Sequence, residues 1–99
     1  MDKKQLRAIG HGLKPVVMVG QKGISDTLLA ETERSLSDHE LIKIKLASAD
    51  RDLRKQQIEE ICTSCKAELV QTVGKMALVF RKNTRPNPKT SNLIRALTD

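Results

Sequence analysis

The residues whose types and spacing best suit chemistry are Gly20-Gln21-Lys22-Gly23, a lysine and a glutamine between two glycines. Glycine tolerates positive φ angles and lets a ligand approach the backbone closely. The residues after Gly23 predict a helix, and the free N–H groups and dipole at a helix start favour an anion. Lys22 adds a positive charge at the tip. The combination predicts a loop that holds phosphate groups, and the alternative is a connecting turn that needs two glycines.

The surrounding residues separate this loop from two better-defined phosphate motifs. Gly23 is followed by Ile24, whereas a Walker loop continues with lysine and then serine or threonine. A dinucleotide-binding fingerprint needs a third glycine, which this segment lacks. The remaining precedent is the GxxG loop with which KH domains clamp a nucleic-acid backbone. The placement of the loop between a strand and a helix, in basic surroundings, favours this interpretation over a plain connecting turn.

Two further motifs could suggest an enzyme. Cys62 and Cys65 have CxxC spacing, but they fall at the end of a predicted helix, where the dipole disfavours a thiolate. Buried structural thiols are the favoured interpretation, with redox chemistry and, less favoured, metal binding as the alternatives. His39-Glu40 lacks the second histidine of a metalloprotease helix, because position 43 is Lys43. We predict no catalytic residue, no metal site and no cofactor.

The charge distribution also favours a polyanion. Lysine and arginine outnumber aspartate and glutamate by 18 to 12, for a net charge of +6. Both ends of the chain are basic, whereas residues 25–40 are acidic, and a basic surface attracts polyanions. The acidic segment is expected to form a solvated helix surface that carries Asp26, Glu31, Glu33, Asp38 and Glu40.

Apolar periodicity predicts the elements that position these residues. Helices are expected over residues 3–12, 25–38 and 51–65, with Ser25 and Asp50 as N-caps of the second and third. Leu53, Ile58, Ile61, Cys62 and Cys65 should face inward on the third helix. Strands are expected over 16–19, covered on both faces, and over 41–46, 69–73 and 76–80. Glycine first in the pair Gly74-Lys75 is typical of a type II′ hairpin.

The order of elements predicts an α+β fold, a two-layer α-β-α-β-α-β-β arrangement with a four-stranded mixed sheet. Strand–helix–strand connections imply parallel pairs, and the final hairpin adds an antiparallel strand. We expect one domain over residues 1–82 and a basic, proline-containing tail over 83–99. Residues 91–97 should form one marginal helical turn or stay disordered.

Several segments together resemble the CRM (chloroplast RNA splicing and ribosome maturation) domain family, in its bacterial stand-alone YhbY type. They are Leu6-Arg7, the run from Leu13 to Ser25 that contains the GxxG loop, the run from His39 to Lys45, Gly74-Lys75, and Leu78 to Arg81. The resemblance covers residues 3–82. It implies a fold similar to the C-terminal domain of translation initiation factor three, with sheet order 1-2-4-3. It also implies association with precursors of the large ribosomal subunit, through an RNA contact centred on the loop.

The predicted function is therefore RNA binding through phosphates. The protein is expected to be a cytoplasmic monomer that does not bind a membrane. The predicted RNA-binding residues are Gly20, Gln21, Lys22, Gly23, Lys3, Lys4, Arg7, Lys14, Arg81, Lys82 and Arg85. Lys43 and Lys45 should join them only if their sheet face is open. Phe80 is the only aromatic residue, so base stacking on aromatic platforms is not expected. Ribosomal RNA is the expected partner and ribosomal proteins are further candidates; the alternatives are a protein-binding adaptor and a thiol redox protein.

Overall fold

The structure, a computed structural model, describes residues 2–98, without the side chain of Thr98. Its elements in chain order are α1 Lys3–His11, β1 Pro15–Val19, α2 Asp26–His39, β2 Leu41–Leu46, α3 Arg51–Cys65, β3 Glu68–Val73, β4 Met76–Phe80 and α4 Asn92–Thr98. The bounds predicted for α1 to β4 agree with these to within one residue. Within residues 2–98, no helix combines the length and the apolar composition needed to cross a membrane.

Each of the first three helices begins at a polar cap. Asp2 accepts a hydrogen bond from the Gln5 N–H at 2.9 Å, and the Gln5 side chain accepts one from the Asp2 N–H, which completes a capping box. Ser25 Oγ accepts the Leu28 N–H at 3.1 Å. Asp50 accepts N–H groups from the first turn of α3. These bonds satisfy donors that a helix start leaves without intrahelical partners, so the helices begin where the sequence predicts.

The sheet has the order β1-β2-β4-β3. The pair β1–β2 is parallel, while β2–β4 and β4–β3 are antiparallel. Gly74 opens the β3–β4 turn with a φ of +57°, as the first central position of a type II′ turn requires. The α+β class, the mixed four-stranded sheet and the predicted strand order are confirmed.

Helices lie on both faces of this sheet. On one face, Ile42, Ile44 and Val79 pack with residues of α2 and α3 in the larger core. On the other face, Leu41 and Leu78 pack with Leu6, Ile9 and Leu13 from α1 and the loop after it, and with Leu93 of α4. Alternating side chains along β2 and β4 therefore separate two apolar clusters, as the strand period of two dictates.

Two packing predictions were wrong. Strand β1 is an edge strand covered on one face only, since Val17 and Val19 are buried but Val16 and Met18 are exposed, Met18 by 60%. A run of apolar residues resembles a strand buried on both faces, but α1 does not extend over this edge. Leu53, predicted to face inward, is 42% exposed in the first turn of α3.

The C-terminal residues pack against the start of β2, and the expected marginal turn is a seven-residue helix, α4. Glu40, expected on a solvated helix surface, is buried and ends α2 with a φ of +64°. Its carboxylate accepts the Asn83 N–H at 3.0 Å and the Ser91 hydroxyl at 2.6 Å. The Asn92 amide donates to the Leu41 carbonyl at 2.6 Å. We call Glu40, Asn83, Ser91 and Asn92 the clasp, because they join residues 83–98 to the sheet.

Candidate nucleic-acid interface

The loop Gly20–Gly23 leads from the end of β1 to the start of α2. The Gly23 N–H donates to the Gly20 carbonyl at 3.1 Å, which closes a tight turn. Gln21 and Lys22 occupy its centre and are exposed. Gly23 has a φ of +76°, where a side chain would be strained, whereas Gly20 does not have a positive φ and a Cβ there would meet nothing. Only the second glycine is therefore required by backbone conformation.

The start of α2 contributes less positive potential than the helix dipole alone would give. The Ser25 side chain already occupies one of the N–H groups at the helix start. Asp26 adds a carboxylate in the first turn, close to the loop. Because this negative charge opposes the dipole, the attraction for an anion must come mainly from Lys22 and from neighbouring cations.

The β3–β4 hairpin lies at the same end of the sheet as the loop. The Ala47 N–H donates to the Val19 carbonyl at 2.9 Å, and the Leu46 N–H donates to the Lys75 carbonyl at 2.8 Å. These bonds fix the end of β2 between β1 and the hairpin. Lys75 is exposed there, and its ammonium group lies 3.4 Å from the Ala47 carbonyl. We call this region, formed by residues 20–23, 47–55 and 74–75, the loop end.

Helix α3 adds cations that were not predicted from the sequence as part of the site. Arg51, Arg54 and Lys55 line a groove beside Thr72 and Gly74, next to the hairpin. Arg54 also donates to the Ser48 carbonyl at 2.8 Å, which holds its guanidinium close to the loop after β2. The spacing i, i+3, i+4 places the three on neighbouring positions of one helix surface. That spacing was the available signal, but the acidic residues of the same helix concealed it in the net charge.

The sheet face opposite α2 and α3 is open next to the loop end. Met18, Lys45, Met76 and Val73 pair in register across the four strands. Paired residues share a face, and Met18, Lys45 and Val73 are exposed. Lys43 is half-buried two residues before Lys45, on the same face. The sheet face that carries Lys43 and Lys45 is therefore open, which was the condition for adding them to the predicted RNA-binding residues.

The structure does not bring Arg81, Lys82 and Arg85 to the loop. Phe80 pairs with Leu41, whereas the loop follows Val19, which pairs with Leu46. Five residue steps along β2 separate the two ends by roughly 17 Å. Arg81 also donates to Glu33 Oε1 at 2.6 Å, to Ser37 Oγ at 2.8 Å and to the Cys65 carbonyl at 3.0 Å. Its guanidinium ties α2 to α3.

The predicted cations of the N-terminal region lie on the face of the sheet that α1 covers. Lys3 forms an ion pair of 3.8 Å with Glu68, in which both side chains are largely exposed. Lys4 and Arg7 are exposed on α1. Lys14 is exposed just before β1, several residues from the loop along the same strand. These four are separate from the group at the loop end.

The two cysteines are free thiols at the end of α3. Burial raises the pKa of Cys62, and the neighbouring Cys65 raises it further. Burial is also the main cause that raises the pKa of Cys65. Since a reactive thiol needs a lowered pKa, these thiols fit structural packing. Within residues 2–98, no group of three or more His, Cys, Asp and Glu side chains could hold a metal ion.

Known proteins resemble this chain over most of its length. A protein of Pseudomonas aeruginosa named a probable RNA-binding protein is 54% identical over 94 residues, which cover 95% of this chain and 90% of the relative. One of Haemophilus influenzae, named an RNA-binding protein, is 43% identical over 80 residues, covering 81% of each.

A solved structure and a protein family also match this chain. The solution structure of SAV1595 from Staphylococcus aureus, described as a candidate RNA-binding protein, matches with a TM-score of 0.75 and 28% identity over 84% of this chain and 86% of that one. The CRS1 / YhbY (CRM) domain matches residues 1–81. The chain therefore belongs to the CRS1 / YhbY (CRM) domain family.

Proposed function

We propose that this protein binds RNA and holds its phosphates on the loop Gly20–Gly23 and the cations around it. The observation that carries the proposal is the convergence of Lys22, Lys75 and the α3 cations at one end of the sheet, although they come from distant parts of the chain. Phosphate contacts dominate the affinity of proteins for nucleic acids. The names of the relatives from Pseudomonas and Haemophilus support RNA as the ligand.

Recognition should depend on phosphate, sugar and shape more than on aromatic stacking. The single aromatic residue, Phe80, is half-buried against the α1 side of the sheet, at the end away from the loop. Proteins that stack several bases use several aromatic side chains. We therefore expect weak sequence preference and a strong dependence on salt.

The bound RNA, on this proposal, is ribosomal RNA in precursors of the large ribosomal subunit, in the cytoplasm. The support is the resemblance to bacterial stand-alone members of the CRM family. Ribosomal proteins in the same particles are further candidate partners. Crosslinking in cells, followed by sequencing of the RNA recovered with the protein, tests this. Recovery of messenger or transfer RNA without enrichment of ribosomal precursors would contradict the assignment.

Charge reversal at the loop tests the binding site. Lys22→Glu should lower RNA affinity about tenfold or more, because it replaces a phosphate-contacting cation by a repelling anion. The matched control is Lys82→Glu, which changes the net charge equally at the exposed far end of the sheet. Fluorescence anisotropy with a labelled single-stranded RNA measures both. Equal losses in the two variants would mean that overall charge, and not the loop, sets the affinity.

The salt dependence of the RNA affinity measures how many phosphates the protein contacts. If four to six phosphates are neutralised, the logarithm of affinity should fall against the logarithm of salt concentration with a slope of roughly −3 to −4 on single strands. A slope near zero would contradict an electrostatic site.

A further inference from the structure

A groove runs between the end of α1 and the open sheet face. Its lining residues are Gly10, His11, Lys43, Gln71, Val73, Met76 and Leu78, and its volume is about 230 Å³. Gly10 shapes it, because a Cβ there would lie 2.4 Å from Leu78 Cδ2. The missing side chain lets α1 approach β4 closely, which brings His11 to the rim.

The groove has an apolar floor and a polar rim. Lys43, Leu78 and Gln71 pair across three neighbouring strands, so a cation and an amide flank the apolar Leu78. Met76 and Val73 continue the floor in the next pair on this face of the hairpin. The Gln71 side-chain amide forms no hydrogen bond with another residue of the 2–98 span. It therefore keeps both its donor and its acceptor for a ligand.

The open sheet face connects this groove to the loop end. Met76 pairs with Lys45, and Lys45 pairs with Met18, which precedes the loop by two residues. Two strand spacings amount to about 10 Å, the length of about three nucleotides at roughly 3.4 Å each in a stacked strand. A strand of RNA held at the loop can therefore reach the groove across Lys45.

We propose that the groove takes an unpaired base of the RNA whose phosphates lie on the loop, so this inference rests on the proposed function. The lining contains the Lys43 cation but no aspartate or glutamate. It therefore suits a polyanion better than a basic peptide, which acidic residues would bind. The flat face of a base lies on Met76 and Val73, of which Val73 is 63% exposed, and methionine sulfur is polarisable and adapts to such contacts. The Gln71 amide hydrogen-bonds the edge of the base, a pairing that glutamine geometry permits.

The test compares a single-stranded oligoribonucleotide with an abasic ribose-phosphate chain of the same length. The wild-type protein should bind the base-bearing strand about tenfold more tightly, in line with the worth of one good amide–base pair. Methyl NMR should show Met76 shifting with the base-bearing strand and not with the abasic chain. Equal affinity for both strands, with no shift at Met76, would overturn the proposal.

Variants separate the groove from the loop. Gln71→Leu should remove most of the preference for the base-bearing strand and leave abasic binding unchanged. The control is Gln56→Leu, the same change at an exposed residue of α3 that lines neither groove, which should keep the preference. Val73→Glu, at a position 63% exposed, should weaken base-bearing RNA further by repulsion.

The outcomes also distinguish this proposal from the one on which it rests. If wild-type protein binds both strands equally and Lys22→Glu weakens both, the loop stands and the groove is rejected. If the wild-type protein binds neither strand, RNA binding itself fails and the groove fails with it. If Val73→Glu instead changes the sedimentation of the protein alone, the groove is a contact between copies of this chain, and the base-binding role is rejected.

Discussion

The two ends of the sheet use charged side chains in opposite ways. At the loop end, Lys22 and Lys75 are exposed, and neither forms an ion pair within residues 2–98. At the clasp end, Glu40 is buried under two hydrogen bonds, and Arg81 donates to α2 and α3. The same residue types therefore hold the fold together at one end and leave their charge available to a ligand at the other.

This difference shows why a charge count alone cannot locate a binding site. Arg81 and Lys22 both contribute to the net charge of +6. However, Arg81 is already neutralised by Glu33 and surrounded by acceptors from its own chain. Only a cation whose partner is absent from the protein has much to gain from a phosphate.

The largest effect is expected from Glu40→Ala at the clasp. The substitution removes the carboxylate that accepts hydrogen bonds from Asn83 and Ser91. Hydrogen bonds to charged groups are among the stronger ones, and the substitution would leave the buried Ser91 hydroxyl and the partly buried Asn83 N–H without this partner. The free energy of unfolding should therefore fall by about 3 kcal/mol. Urea denaturation measures this. RNA affinity of the folded fraction should not change, and a loss of affinity with normal stability would contradict a purely structural clasp.

The next largest effect is expected from removing the charge of Arg81, with Lys45 as the matched cation at the other end of the sheet. Arg81→Met should lower the free energy of unfolding by about 1–2 kcal/mol, because it removes side-chain hydrogen bonds that join α2 to α3. Lys45→Met, on the exposed sheet face, should change it by less than about 0.5 kcal/mol. Affinity should show the reverse order, with the salt slope reduced by about one for Lys45→Met and unchanged for Arg81→Met. Equal effects of both on affinity would remove the distinction between the two ends.

Local signals in the sequence were sufficient to predict most of the fold. Ser25 and Asp50 identified helix starts through cap chemistry that depends only on neighbouring residues. Gly74 identified the hairpin for the same reason. The alternation from Leu41 to Leu46 separated the two faces of β2. Each of these features is determined within a few residues along the chain, so a single sequence reveals it.

Features that depend on distant segments could not be predicted in this way. Glu40 belonged to an acidic helix in the sequence, and its burial depends on Ser91, about fifty residues later. Met18 was predicted to be covered because it lies in an apolar run. Its actual exposure depends on how far α1 extends over the sheet, which the local sequence does not show. Arg51, Arg54 and Lys55 join the loop end only because the hairpin folds beside α3. The loop of the candidate site was therefore predicted from the sequence, whereas the cations around it were found only in the structure.

The smallest expected effect on stability comes from Gln57, a buried polar residue near the loop. Its side chain is buried in α3 below the loop, with Nε2 3.7 Å from where a Cβ on Gly23 would lie. Its Oε1 has no hydrogen-bond partner in the described part of the chain, whereas the buried carboxylate of Glu40 has two. Gln57→Met keeps the length of the side chain and removes the unsatisfied oxygen, so the free energy of unfolding should rise by about 1 kcal/mol.

The same variant measures whether that unsatisfied oxygen serves binding. Buried polar groups without partners are rare, and proteins often retain them at functional sites. If Gln57 only fills space below the loop, Gln57→Met should be more stable in thermal denaturation and should bind RNA with affinity within about twofold of wild type, since it alters no exposed cation. A more stable variant with clearly weaker binding would instead show that the amide positions Gly23 for the phosphate, which would extend the loop end inward from its exposed lysines to a buried residue of α3.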